Sequence, residues 1–118
     1  PELYLVYPQG NYIRPADSKP YWVIGEVKYG KPILDRVITP KVSIGDASRC
    51  ALISMDSTLK SDLTVGPPID FAVIKKDEIK IASLKCLNMN DPEFSKVCNQ
   101  WSQGIFKIFD SFQRFDWE

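Results

Sequence analysis

The sequence contains no histidine. Among its 118 residues, 15 Lys and Arg balance 15 Asp and Glu, so the formal net charge is zero. Without imidazole, Ser-His-Asp catalysis, Cys-His catalysis and His-ligated metal sites are excluded, because each needs the ring as base or ligand. The lack of a basic surplus argues against a nucleic-acid or anionic-membrane binder. Any chemistry must use hydroxyls, carboxylates, lysines or a terminal amine.

Cysteines and long apolar runs are also scarce. Cys50, Cys86 and Cys98 are widely spaced, form no C-x-x-C motif, and cannot all pair within one chain. This pattern is typical of reduced thiols, so we expect a cytoplasmic protein. No apolar run reaches the ~18 to 20 residues that span a bilayer. The N-terminus has no signal-peptide pattern, and we expect no membrane partner.

The apolar periodicity predicts one α+β unit over residues 1–118, with the order β-β-β-α-α-β-β-α. Short apolar and aromatic runs predict strands, and periodic stripes predict helices. The strands are expected at 3–7, 12–13, 21–24, 69–75 and 79–84, and the helices at 31–38, 43–60 and from 91 onward. Both alternate sets of residues 79–84 contain apolar side chains, which suggests a strand covered on both faces.

Helix ends carry the clearest local signals. Ser43 and Asp46 fit a capping box, in which a hydroxyl and a carboxylate each satisfy a free amide. Asp91 is a good N-cap, with Pro92 at the first helical position. Thr39-Pro40 predicts the end of the first helix.

Several residues invite a chemical interpretation, each with a plainer alternative. The terminal amine of Pro1 suits a general base, but an arbitrary cut end explains it better. Gly25 and Gly30 flank a strand-to-helix junction without matching any nucleotide-binding motif. Glu26 and Lys28 favour a solvated ion pair.

Residues 54–66 are rich in hydroxyls and carboxylates. This segment fits a functional loop on a rigid scaffold, or simply the polar end of a helix before a turn, which we favour from the pattern alone. Asp56 and Asp62 lack the further ligands that define a metal site.

Two long stretches carry a family resemblance. They are IGEVKYGKPILDR at residues 24–36 and CALISMDSTLKSDLTVGPPID at residues 50–70, and YPQGN at residues 7–11 also fits. From about residue 3 to 112, the chain resembles the ancestral-β-subunit (Anbu) group of bacterial proteasome-type proteases. These are N-terminal-nucleophile hydrolases.

The resemblance implies the C-terminal half of a four-layer αββα sandwich, with the first two helices on one face and the last on another. It implies a threonine-type peptidase whose hydroxyl or thiol nucleophile is the mature N-terminal residue, with its own α-amine as base. Such an enzyme needs no histidine. It implies no metal or organic cofactor, a peptide or unfolded-protein substrate, and a ring or ring-like homo-oligomer. The nucleophile is not in this chain, so these 118 residues alone are predicted to be inactive.

The supporting residues transfer only in part. In the family, an Asp-x-x-Ser-Gly stretch supports the nucleophile, and here Asp62 and Gly66 match it. The resemblance implies that Asp62 positions the nucleophile and that Gly66 keeps the loop close to the backbone. Val65 replaces the serine, with Thr64 as a neighbouring hydroxyl, and Glu26 stands where a second serine is usual.

These departures leave two hypotheses open. One is a peptidase fragment, and the other is a non-catalytic self-assembly module with the same fold. The aromatic C-terminal end suits subunit contacts, or packing on the chain's own sheet. Its aromatic residues are Phe106, Phe109, Phe112, Phe115 and Trp117.

Overall fold

Three helices and two antiparallel strand pairs make up the fold in the computed structural model, which describes residues 2–118. The elements are β1 Leu5–Val6, β2 Tyr12–Ile13, α1 Lys31–Val37, α2 Ile44–Ser61, β3 Ile69–Ile74, β4 Ile81–Leu87 and α3 Pro92–Asp110. The predicted α+β class is confirmed. In residues 2–118, no helix has the length and apolar character needed to cross a membrane. Pro1, and with it the terminal-amine hypothesis, lies outside the described residues.

The predicted helix starts are confirmed, because they depend on local contacts. Ser43 Oγ accepts a hydrogen bond from the Asp46 amide at 3.0 Å and donates one to Asp46 Oδ2 at 2.7 Å. The Asp46 carboxylate therefore accepts a hydrogen bond from the Ser43 hydroxyl. In a capping box it would accept one from the Ser43 backbone amide instead. At α3, Asp91 Oδ1 accepts from the amides of Glu93 and Phe94, both at 3.1 Å. Each cap satisfies amides that have no partner inside the helix.

The third predicted strand, residues 21–24, is not formed. These residues belong to neither a helix nor a strand, and the Tyr21 amide donates to the Lys19 carbonyl at 2.8 Å. An apolar run becomes a strand only when a neighbouring backbone completes its ladder, and residues 2–118 form no such ladder here. The second hairpin strand also begins later than predicted, at Ile81, after a turn in which Asp77 has a φ of 62°.

The β3–β4 hairpin has one covered face and one bare face. Ile69 pairs with Leu87, and both are buried against Phe94 and Cys98 of α3, while α2 adds Leu52, Met55 and Leu59 to the same cluster. The opposite side is the outer face, with the exposed residues Ala72, Ile74, Leu84 and Cys86. The strand predicted to be covered on both faces is therefore covered on one face within this chain.

Helices α2 and α3 lie in the same layer. Lys60 Nζ of α2 donates to Ser102 Oγ of α3 at 3.1 Å, and both helices contribute to the cluster on the inner hairpin face. The expectation that the last helix lies on another face is wrong. Periodicity identifies an apolar stripe on a helix, but it does not say which sheet face that stripe meets.

Candidate functional site

The candidate site begins where α2 ends. Asp62 is the residue that ends the helix, with extended backbone angles (φ −127°, ψ 109°), and its amide donates to the Thr58 carbonyl at 2.8 Å. The chain then turns, and the Val65 amide donates to the Asp62 carbonyl at 3.2 Å. The end of a long helix and a short turn thus fix the backbone on both sides of the Asp62 carboxylate.

The Asp62 carboxylate is held by Thr64. Its Oδ1 accepts from the Thr64 amide at 2.8 Å and from Thr64 Oγ1 at 2.6 Å. These hydrogen bonds, with the nearby charge of Lys28, hold the pKa of Asp62 below its ordinary value of 3.8. The group is therefore ionised at neutral pH and accepts hydrogen bonds. The Thr64 hydroxyl, which was expected next to the replaced serine, is thus hydrogen-bonded to Asp62. Val65, which replaces that serine, has no polar side-chain atom.

A second loop influences the Asp62 carboxylate through the charge of Lys28. Gly25 has a φ of +80°, a conformation that favours glycine, and it precedes Glu26. Glu26 Oε1 accepts from the Lys28 amide at 2.8 Å, so the carboxylate holds its own loop and bonds the Lys28 backbone. The Lys28 side chain lies close enough to Asp62 to lower its pKa. The positive charge of Lys28 thus acts on Asp62 at a distance and has a smaller influence than the Thr64 hydrogen bonds.

Close packing within this chain is found at Gly30. A Cβ added at Gly66 would meet nothing within 4 Å in this chain. A Cβ at Gly30 would lie 3.0 Å from the Ser54 carbonyl oxygen and 3.2 Å from Thr58 Oγ1. Gly30 therefore lets the start of α1 approach α2 closely. Ser54 and Thr58, four residues apart on α2, form the surface that Gly30 meets.

Sequence reasoning missed a buried polar cluster between α2 and α3. Asp56 is 1% exposed, and its Oδ2 accepts from Lys60 Nζ at 2.8 Å. Its Oδ1 has no hydrogen-bond partner among the described residues. Burial, followed by the nearby Asp56 carboxylate, raises the pKa of the Cys98 thiol to about 11. The Asp-Lys spacing of four residues is visible in the sequence, but the neighbouring thiol is not.

Asp56 and Asp62 therefore do not form one site. Asp56 lies in the α2–α3 contact with Lys60, whereas Asp62 bonds Thr64 at the end of the helix. Of the residues predicted from the sequence, Asp62 and Thr64 are in direct contact, whereas Glu26 bonds the Lys28 amide of its own loop.

No family model and no curated protein matches the sequence. Solved structures do. The chain is similar to Anbu from Hyphomicrobium sp. strain MC1, with 40% identity and a TM-score of 0.92, over 98% of this chain and 50% of that one. Anbu from Yersinia bercovieri gives 39% identity and a TM-score of 0.92, over 98% and 49% of the two chains. This chain belongs to the Anbu group.

A third Anbu structure adds information about assembly. The helical assembly of the Anbu complex from Pseudomonas aeruginosa matches at 40% identity and a TM-score of 0.90, over 98% of this chain and 48% of that chain. The chain thus spans about half the length of these Anbu structures. Its three helices and two hairpins form an Anbu half-domain.

Proposed function

We propose that this chain is the C-terminal half of a threonine-type, proteasome-like peptidase subunit, which cleaves peptide bonds by acyl transfer to an N-terminal nucleophile. By full-length protein we mean the complete product of the reading frame that contains these 118 residues. The nucleophile and its α-amine lie in the other half of that protein. Asp62 is the supporting residue that this half supplies. The observation that carries the proposal is the Asp62 carboxylate, which is ionised and is oriented by two hydrogen bonds from Thr64.

An ionised carboxylate suits this role for an electrostatic reason. When an N-terminal hydroxyl or thiol attacks a peptide carbonyl, its own α-amine accepts the proton and becomes an ammonium. A nearby carboxylate stabilises that positive charge, more strongly in a site from which water is excluded. Thr64 donates two hydrogen bonds to one oxygen of Asp62. The orientation of the carboxylate is therefore set before substrate binds.

The departures from the family pattern change which side chains surround Asp62 and fill the usual serine positions. Thr64 takes the hydroxyl role next to Asp62, and Val65 leaves the usual serine position apolar. Glu26, at the position of the second serine, bonds the Lys28 amide of its own loop. These departures also favour the second candidate, a non-catalytic self-assembly module.

We further propose that the full-length protein assembles into a ring-like or helical homo-oligomer, acts on peptides or unfolded proteins, and resides in the cytoplasm. The helical assembly of Pseudomonas aeruginosa Anbu supports the first point. The location is inferred from the three free cysteines. No metal or organic cofactor enters the proposed reaction.

The test uses the full-length protein and a peptide electrophile that forms an adduct with an N-terminal nucleophile. We expect one adduct, located on the mature N-terminal residue by mass spectrometry, and turnover of a fluorogenic peptide. Asp62→Ala should lower turnover at least 100-fold. Thr64→Val should lower turnover by a smaller factor. The matched control is Glu78→Gln, on an exposed residue in the hairpin turn. The 118-residue chain alone should be inactive.

One result would contradict the peptidase, and another would contradict the role of Asp62. An assembled, folded full-length protein that forms no adduct would establish the self-assembly module in its place. Turnover unchanged by Asp62→Ala would remove the role assigned to this carboxylate.

A further inference from the structure

The last turn of α2, residues 58–61, contacts three different neighbours. Consecutive residues of an α-helix point about 100° apart, so Thr58, Leu59 and Lys60 face three directions. Thr58 is buried, and a Cβ added at Gly30 of the α1 start would lie 3.2 Å from its Oγ1. Leu59 packs against the cluster on the inner hairpin face. Lys60 bonds α3. The turn is therefore held by α1, by the hairpin and by α3 at once.

The contact with α3 is made by the Lys60 ammonium group. Its Nζ donates to Asp56 Oδ2, one turn earlier in α2, at 2.8 Å and to Ser102 Oγ of α3 at 3.1 Å. The Asp56 side chain is buried, whereas Lys60 is half exposed. A buried carboxylate without a cationic partner is strongly unfavourable, so Asp56 keeps the Lys60 side chain in place. The hydrogen bond to Ser102 then fixes the distance between the last turn of α2 and α3.

The same turn carries Asp62. The Asp62 amide donates to the Thr58 carbonyl at 2.8 Å, so the backbone of Asp62 is attached to the turn that Lys60 holds. The side-chain bonds of Asp62 have a different origin, because both come from Thr64. They orient the carboxylate within its own loop. The place of that loop relative to the rest of the subunit depends instead on the last turn of α2.

We propose that Lys60, through its bond to Ser102, is a positioning residue for Asp62. It holds the end of α2 on α3 and so fixes the place from which the Asp62 carboxylate acts on the nucleophile's amine. The inference rests on the proposed peptidase function and adds two residues to it. Position matters because a displacement of about 1 Å in a catalytic site can lower a rate ~100-fold. The bond itself adds little stability, since exposed polar contacts are weak.

The first test is Ser102→Ala in the full-length protein. Ser102 is exposed, and its replacement leaves the pair of Asp56 and Lys60 in place. We expect kcat for a fluorogenic peptide to fall about 10-fold, with KM and the melting temperature unchanged. The pKa of Asp62 should not move, because its bonds come from Thr64. An unchanged kcat for Ser102→Ala would overturn the inference.

The matched control for this variant is Gln103→Ala. Gln103 is the next residue of α3, is also exposed, and makes no side-chain hydrogen bond among residues 2–118. Its replacement should leave kcat at the wild-type value. An equal loss of kcat for Gln103→Ala and Ser102→Ala would contradict a specific role for Ser102.

Variants of Lys60 provide a rescue experiment. Lys60→Met removes both hydrogen bonds, so kcat should fall roughly 100-fold at a temperature well below unfolding. Lys60→Arg keeps a charged donor for Asp56 and Ser102 and should restore most of the activity. The control is Lys96→Met, on an exposed lysine of α3, which should leave kcat unchanged. A folded Lys60→Arg protein as impaired as Lys60→Met would contradict the inference.

Hydrogen exchange of the Asp62 amide separates this inference from the peptidase itself. The amide is bonded to the Thr58 carbonyl, so its exchange rate reports how firmly the last turn is held. In the full-length protein, Ser102→Ala should speed its exchange about 10-fold, whether or not peptides are hydrolysed. Unchanged exchange would overturn the inference. Failure of the wild-type protein to form an adduct at its nucleophile would contradict the peptidase instead.

Discussion

The two ends of α3 have the same apolar character and opposite surroundings. Near its start, Phe94 is 1% exposed and Cys98 is 7% exposed, both against β3, β4 and α2. Near its end, Phe109 is 70% exposed. The difference shows that apolar residues form a core only where a second surface meets them, so the bare end of α3 identifies surface that this half-domain does not complete.

The largest expected effect separates these two ends directly. Phe94→Ala should lower the free energy of unfolding by about 3–5 kcal/mol, because it removes a fully buried ring and leaves a cavity. Phe109→Ala should lower it by less, because the ring is 70% exposed in this half of the subunit. Urea denaturation of the full-length protein, followed by circular dichroism, measures both. Equal losses in the free energy of unfolding for Phe94→Ala and Phe109→Ala would contradict the contrast between the two ends of α3.

A second pair of variants compares a covered and an exposed ion pair. Lys60→Met leaves the buried Asp56 carboxylate without its charged partner, and we expect a loss of about 2 kcal/mol, moderated because Lys60 itself is half exposed. Lys85→Met removes the partner of Glu93 in a pair that is exposed on both sides, so little change is expected. The midpoints of thermal unfolding should rank accordingly. A larger loss for Lys85→Met would contradict this ranking.

The two glycines offer a third contrast. Gly30→Ala should destabilise the protein by about 1–3 kcal/mol, since the new methyl would lie 3.0 Å from the Ser54 carbonyl oxygen. Gly66→Ala should be neutral or stabilise by ~0.5 kcal/mol, because its surroundings are open in this chain. If Gly66→Ala is the more damaging change in the full-length protein, the other half approaches this loop closely, as the family resemblance implies.

The smallest effect concerns the pKa of Asp62. Carboxyl NMR should show that Asp62 titrates below 3.8, because the Thr64 hydroxyl and amide bond the ionised form. Because the folded-state pKa is depressed, this stabilisation is fully present above pH 3.8 and is lost as the pH falls through the lower, folded-state value. Thr64→Val should move the pKa of Asp62 up toward 3.8. An unchanged titration would mean that the Thr64 hydroxyl does not hold the carboxylate.

Local signals in the sequence predicted more than tertiary ones. The caps at Ser43 and Asp91 were predictable because a cap involves residues three positions apart. The third strand was not, because a ladder requires a partner backbone that no local pattern reveals. The layer of α3 was also predicted wrongly, since a stripe of apolar residues does not specify which sheet face it covers.

The candidate site also contains some contacts that the sequence predicted and others that it did not. Asp62 and Thr64 were found because they are neighbours in the chain and match a family motif. The bond from Glu26 to the Lys28 amide, and the proximity of Lys28 to Asp62, depend on how one loop folds and where it lies. The contact between Asp56 and Cys98 joins residues on two helices, and no spacing in the sequence indicates it.

The central claim is that the outer face of the β3–β4 hairpin is an interior surface of a larger αββα subunit, and Cys86 is a natural probe of that face. Its thiol is exposed in this chain, whereas Cys50 and Cys98 are buried. The most direct measurement is the rate at which a thiol reagent labels Cys86 in the 118-residue chain and in the full-length protein. We predict fast labelling in the chain and at least 100-fold slower labelling in the full-length protein. Equal rates would contradict the account, because the outer face would then remain in contact with water.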